Sequence, residues 1–591
     1  MKALSLDLTS LRGVYRDRTW RPAEVVDEVL ARIAARADDH VWIQRFERAA
    51  IEPYLQRLAR IDPAAPLWGV PFAIKDNLDL AGVPTTAACP AFAYTPATSA
   101  TAVARALAAG AIPIGKTNLD QFATGLVGVR SPYGTALNPF DPHMIPGGSS
   151  SGSAVAVSAG LVSFAFGTDT AGSGRVPAGF TNIVGLKPTR GLISTAGVVP
   201  ACRSLDCLSI FALSVADASA VLGAVSGFDA ADPFSRPPPL LAAAPPPTYR
   251  IGVPAAAQLE WFGNGVGAAL FDRALARVRA DGAELVEVDI EPLLSAGALL
   301  YDGPWVAERY AAIRDFIDAQ PAALHPVTRA VIEGGARPSA ADAFAAYYRL
   351  RALRRALEPT WQRIDALLLP TAARACPIAA VEAEPVRLNA QLGRYTNFAN
   401  LLDLCGVAVP AGLQPDGFPF GITVLAPAFR EPVLLPLAAR LHAAAAVRLG
   451  ATPHHLPAAS EIASVPSGSV ELVVCGAHMS GLPLNHQLTS RGARLIAATH
   501  TAPRYRLVAL PDGRPGLERL AHGAAIAVEV WSMPIEQLGS FVAAIPPPLA
   551  IGTVLLADGS ACKGFLCESI AAASAVDITG HGGWRAYLAA Q

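Results

Sequence analysis

Apolar residues recur at helical spacing near the start of the chain. Pro22-Ala23-Glu24 opens a run that sets Val25, Val26, Val29, Leu30 and Ile33 on one face, so residues 1–60 read as helical. The period then shortens. Gly69–Ile74 reads as a short buried strand, Ala102–Ala109 as a helix and Ala111–Ile114 as the next strand. Alternation of this kind predicts an α/β domain built on a central sheet. Residues 147–190 depart from it: they are rich in Gly, Ser and Thr, yet Ala154–Leu161 keeps apolar helical content. A flexible linker would be out of place inside an α/β core. Pro237–Pro239 and Pro245–Pro247 bracket a surface connection. After it, Arg250–Val253, Ala268–Ala280 and Glu284–Val288 predict strand, helix and strand.

The pattern changes again near residue 450. Residues 451–468 are a Pro/Ser/Ala/His stretch with little periodicity and read as a linker between residues 1–450 and 469–591. Beyond it, Val470–Val474, Tyr505–Leu510, Ile526–Trp531 and Gly552–Leu556 are strand-like, separated by turns such as Pro511-Asp512-Gly513. The tail therefore reads as a smaller, mostly β α+β domain.

Composition narrows the function classes. The 591 residues are enough for about two to four domains. A hydrophobic fraction of 52% supports a large core. Lys+Arg (47) balances Asp+Glu (48), with no basic stripe, so a nucleic-acid partner is not expected. No apolar run approaches the ~18 residues of a membrane span, and the N-terminus lacks the apolar core of a secretory signal. The 8 cysteines are scattered without a Cys-x-x-Cys pair, which fits a reduced cytoplasmic protein and no zinc ribbon.

Three stretches carry candidate chemistry. In Gly69–Asn77 a lysine, Lys75, ends an apolar strand. Such a lysine is either a solvated strand end or a buried amine whose lost hydration lowers its pKa and makes it a base near neutrality. In Gly147–Ser153 the run Gly-Gly-Ser-Ser-Ser-Gly-Ser reads as a loop or a helix N-cap. Gly148–Gly152 also matches Gly-x-Ser-x-Gly around Ser150, but Asp141–Pro146 before it reads as loop, whereas the nucleophile elbow needs a strand. In Gly167–Pro177 small residues allow a backbone turn with inward N–H groups, as an oxyanion hole requires, and Ser173 beside it is a candidate nucleophile. Only His143 lies near either serine stretch, and Lys75 is the alternative base.

Together these stretches resemble the amidase signature family over roughly residues 15–445. Gly185-Leu-Lys-Pro-Thr189 is similar to a flanking element of that family. The resemblance implies a mixed sheet flanked by helices and a Ser–cis-Ser–Lys triad. In it Ser173 is the nucleophile, Ser149 the proton relay and Lys75 the neutral base. Backbone N–H groups of Thr170, Ala171, Gly172 and Ser173 would hold the oxyanion. Where the family has Gly-Gly-Ser this chain has Ala171-Gly172-Ser173, so the backbone there must tolerate a Cβ. The implied chemistry uses no cofactor and no metal.

Tyr301 and Arg309 lie eight apart in a stretch that predicts one helix, which would set them near one face after about two turns. An arginine and a tyrosine hydroxyl suit a carboxylate; the alternative is an ordinary amphipathic helix. Tyr-x7-Arg together with the extra tail resembles the allophanate hydrolase branch. That implies urea-1-carboxylate as substrate, with Tyr301, Arg309 and Gly125 lining its site, a homodimer, and association with a urea carboxylase. The tail resembles the C-terminal domain of that branch, itself similar to γ-glutamyl cyclotransferase-like folds, and the resemblance implies processing of N-carboxycarbamate. In Val474–Gln487, His478, Asn485 and His486 form either an acid/base site, with His478 the first choice, or a set of turn-stabilising polar groups. The competing reading is an amidase of other specificity, acting on aryl or aliphatic amides or within a transamidosome.

Overall fold

The computed structural model describes residues 4–36, 38–240, 243–445, 447–457 and 468–591. Most of the linker expected at 451–468 lies outside the described residues. The chain divides into two compact units, Met1–Pro237 with Ala243–Val465, and Pro238–Ala242 with Pro466–Gln591.

The first unit is built on a mixed sheet of eleven strands. In chain order they are β1 (Trp42–Arg45), β2 (Pro71–Lys75), β3 (Ile112–Thr117), β4 (Phe164–Asp169), β5 (Val184–Lys187), β6 (Cys207–Ala212), β7 (Arg250–Pro254), β8 (Glu284–Val288), β9 (Ala366–Pro370), β10 (Leu404–Leu413) and β11 (Pro419–Pro427). Their order across the sheet is β1-β3-β2-β4-β6-β5-β10-β11-β9-β7-β8. Every residue of β2, β3, β4, β5 and β6 is buried, because helices cover both faces. That is why these strands read as continuous apolar runs rather than as alternating ones.

Parallel pairing of β2 with β4 sets Ile74 opposite Phe166. Continuing that register carries Lys75 to the end of β2 alongside the end of β4, where the Thr168–Ser173 segment begins. Helix Ser151–Ser158 is buried at every position and follows directly on the Gly147–Ser150 segment. The carboxyl ends of two central strands and one buried helix N-terminus thus converge, the usual place for a site in an α/β sheet.

The N-terminal stretch is not helical throughout. Helices Leu8–Arg16, Pro22–Ala34 and Arg48–Arg57 form there, but β1 interrupts them by pairing antiparallel with its neighbour β3. Four residues are too few to show a period. No described helix is long and apolar enough to cross a membrane.

The second unit holds two sheets. Its strands are β12 (Ser469–Val474), β13 (Arg494–His500), β14 (Tyr505–Ala509), β15 (Pro515–Arg519), β16 (Ala527–Pro534), β17 (Leu549–Leu555), β18 (Ala561–Cys567) and β19 (Val576–Asp577). The larger sheet runs β13-β16-β12-β18-β17 and the smaller β15-β14-β19.

Candidate active site

Lys75 is fully buried (0% exposed), and its Nζ lies 2.8 Å from Ser149 Oγ and 2.7 Å from Thr168 Oγ1. Burial pulls its pKa from the ordinary 10.5 down to about 7, against the opposing pull of Asp120, Asp206 and Asp169. Each of those carboxylates has donors of its own. Asp169 is held by Arg175 through Nε at 2.9 Å and Nη2 at 3.0 Å, and by the Gly174 N–H at 3.0 Å. Burial works to raise Asp169, but Arg175 outweighs it and holds the carboxyl below its usual range. Asp120 accepts from the N–H groups of Val127, Gly128 and Arg130. Asp206 accepts from Thr170 Oγ1 at 2.5 Å and from the N–H groups of Ala201 and Cys202. Lys75 is therefore a buried amine whose acidic neighbours are already engaged.

The peptide bond between Gly148 and Ser149 is cis. A Cβ at Gly148 would collide with Asp120 Oδ2, so the position demands glycine. Ser173 lies buried on the turn after β4. No hydrogen bond joins it to Ser149 among the described residues; catalytic hydrogen bonds often tighten only when substrate is present. The backbone N–H groups of Ala171, Gly172 and Ser173 likewise donate to no described residue, which leaves a cluster of free donors beside Ser173. Gly172 has φ +144°, and a Cβ there would strike Thr396. Ala171 is outside the left-handed region, so its methyl group is accommodated.

Tyr301 and Arg309 are not on one helix. Gly303 and Pro304 separate helix Glu291–Asp302 from helix Trp305–Ala319, because proline can neither donate to the preceding turn nor avoid its carbonyl. The break nevertheless brings the two residues together: Arg309 Cζ lies 5.6 Å from the centroid of the Tyr301 ring. Arg309 is 2% exposed; its Nη1 donates to Thr124 Oγ1 at 3.1 Å, and its Nε has no partner. Gly125 follows Thr124 with φ +154°, close against Asp120. Tyr301 also lines a cavity of about 710 Å³ together with Arg130, Arg337, Arg387 and Arg394.

Thr168, Thr124, Asp120, Asp206 and the cavity arginines have no signal in the sequence. Their partners are up to 255 positions away, and no local spacing marks them.

In the second unit His478 Nε2 pairs with Gln487 Oε1 at 3.0 Å, and its ring stacks on Phe565 with centroids 5.0 Å apart. Burial lowers its pKa. Asn485 donates to the His478 carbonyl at 2.8 Å. His486 has its Nδ1 2.8 Å from its own turn's Pro483 carbonyl and is near enough for its charge to help lower the His478 pKa. Among the described residues no group of three or more His, Cys, Asp or Glu is placed to hold a metal ion.

A family model described as Amidase matches residues 24–435. The chain belongs to the amidase family. The tail of this amidase, residues 470–589, matches a model described as Allophanate hydrolase C-terminal domain. A solved allophanate hydrolase of Kluyveromyces lactis is 38% identical to this amidase, with a TM-score of 0.75 and 99% of each chain covered. The urea amidolyase of Saccharomyces cerevisiae is 42% identical over 574 residues, 93% of this chain and 31% of that protein. The urea amidolyase of Lachancea kluyveri is 43% identical over 581 residues, again 93% of this chain and 31% of that protein. This amidase thus spans about a third of the length of those two relatives.

Proposed function

We propose that this amidase hydrolyses urea-1-carboxylate (allophanate), with Ser173 as nucleophile, Ser149 as relay and Lys75 as base. The observation that carries the substrate is Arg309: a guanidinium 2% exposed, stacked near Tyr301, with an unpartnered Nε. A buried cation with a free donor calls for an anionic ligand. The likeness to the Kluyveromyces lactis allophanate hydrolase over 99% of both chains supports the same substrate.

The Lys75–Ser149 contact supports the following steps. Lys75 in its neutral form, which its lowered pKa of about 7 makes available near neutrality, accepts the Ser149 proton as Ser149 takes that of Ser173. Ser173 Oγ attacks the terminal amide carbon, and the oxyanion meets the N–H groups of Thr170, Ala171, Gly172 and Ser173. The relayed proton passes to the leaving nitrogen and ammonia departs. Water, deprotonated by the same relay, then attacks the acyl group and frees N-carboxycarbamate. Tyr301, Arg309 and Gly125 hold the carboxylate throughout. The tail, with His478 as the acid/base candidate, is assigned the breakdown of N-carboxycarbamate to ammonia and carbon dioxide. A homodimer in the cytoplasm, acting on the product of a urea carboxylase, completes the proposal.

Ammonia release from urea-1-carboxylate and from biuret, its neutral carboxamide counterpart, tests the reading. Wild-type protein should prefer the anion and Ser173→Ala should release nothing from either. An equal or greater rate on biuret would favour an amidase of other specificity.

A further inference from the structure

We propose that Thr124 decides which edge of the Arg309 guanidinium meets the substrate carboxylate, and is thereby a specificity-determining positioning residue. The inference rests on reading Arg309 as the carboxylate's partner. A guanidinium can grip a carboxylate end-on, through Nη1 and Nη2, or side-on, through Nε and Nη2. Thr124 Oγ1 accepts one of the two Nη1 N–H donors at 3.1 Å. The Thr124 hydroxyl spends its own proton on the Phe122 carbonyl, also at 3.1 Å, so only lone pairs face the arginine. One of the two Nη1 N–H groups is therefore engaged, which anchors that end of the guanidinium. The side-on edge remains, and its Nε has no partner although the residue is almost wholly buried.

Thr124 is itself held in place. It is 1% exposed, and its carbonyl accepts from Arg130 Nη1 at 3.0 Å, while Arg130 Nη2 donates to the Pro385 carbonyl at 2.8 Å. The Tyr301 ring lies against the guanidinium and restricts its tilt. With the backbone, hydroxyl direction and ring all set, the guanidinium can turn only if the Nη1–Thr124 bond is lost. No motif in Gln121-Phe-Ala-Thr-Gly125 distinguishes Thr124; its meaning comes from a contact 185 positions away.

The test uses the full chain with Thr124→Val, which keeps the shape and removes the acceptor, and Thr124→Ser, which restores it. Steady-state kcat and KM are measured on urea-1-carboxylate and on biuret. Thr124→Val should raise KM for the anion about tenfold or more, as a misdirected charged hydrogen bond implies. Its kcat should stay within about twofold of wild type, the biuret parameters should hold, and Thr124→Ser should restore KM. Equal losses on both substrates, no loss, or no recovery with serine would overturn the inference. Biuret turnover also reports folding: a Thr124→Val protein inactive on both substrates counts against the proposal, because the residue would then be structural. If wild-type protein itself shows no preference for the anion, the carboxylate reading has failed. If it does and Thr124→Val is silent, only the role of Thr124 has failed.

Discussion

Lys75 Nζ and Ser149 Oγ lie 2.8 Å apart with neither side chain exposed. The pair makes protonation of Lys75 a measurable event. With its pKa drawn down to about 7 by burial, kcat/KM should rise with pH through that region as the amine becomes neutral. Stability should move the same way. An unfolded lysine keeps its ordinary pKa of 10.5, so between about 7 and 10.5 the unfolded state binds the extra proton and the folded state gains stability as pH rises. Lys75→Met removes this dependence. Chemical denaturation of both proteins at pH 7 and pH 9 should show the wild type gaining on the variant; a constant difference would mean that Lys75 is not neutralised by the fold.

The two serines should separate in degree. Ser173→Ala should abolish ammonia release, since the proposed acyl-enzyme forms on its hydroxyl. Ser149→Ala should cost about 10²–10⁴-fold in kcat, the range of a lost proton-transfer group. Rapid-quench detection of a covalent acyl species in wild-type protein, absent from Ser173→Ala, checks the assignment.

Removing the clamp should discriminate between substrates. Arg309→Ala should weaken kcat/KM for urea-1-carboxylate by about 10–150-fold, the value of a hydrogen bond to a charged group. Biuret should be little affected. Tyr301→Phe should show a smaller loss in the same direction, because the ring that faces Arg309 stays while the hydroxyl goes. Equal losses on the two substrates would make Arg309 a packing residue.

The cavity beside Tyr301 is lined by Arg130, Arg337, Arg387 and Arg394 and by the carboxylate of Asp302, and of these arginines Arg387 is already paired with Glu384. An anion approaching it is attracted and a neutral amide is not. Raising ionic strength from about 0.05 to 0.5 M, which shortens the screening length severalfold, should lower kcat/KM for urea-1-carboxylate and leave biuret unchanged. Arg337→Gln should flatten that salt dependence in part. A parallel response of both substrates would place the salt effect elsewhere.

His478 tests the tail. Its Nε2 pairs with Gln487 and its ring lies on Phe565, so it is held firmly. If it moves protons, His478→Gln in the full chain should delay the second ammonia relative to consumption of substrate, without altering the first. If the variant only lowers Tm and shows no delay, the residue serves packing.

The family, the sheet-based fold and the separate tail are legible in the sequence because they rest on local signals: apolar periods, small-residue runs and a change of composition. Lys75 and the serine stretches stand out for the same reason. What stays hidden comes from distance. Counting along one helix pairs Tyr301 with Arg309, yet Gly303-Pro304 breaks that helix; their proximity arises from how two helices meet. β1 escapes because four residues carry no period. Thr168 and Thr124 escape because a threonine acquires its role only from the cation that the fold delivers to it, across 93 and 185 positions.

The cysteines lead to a different use of this molecule. All eight are free and buried, five in the first unit and three in the second. Burial also pushes Cys202 and Cys475 up to about 12 and Cys207 up to about 11, so the reactive thiolate is scarce even where a reagent could reach. An alkylating reagent can therefore modify these thiols only when the surrounding structure opens. Mass spectrometry of the labelled peptides would read Cys376 and Cys405 as a clock for opening of one unit and Cys475 as a clock for the other. The chain thus carries internal reporters with which the kinetic lifetimes of its two units can be timed separately in the intact protein.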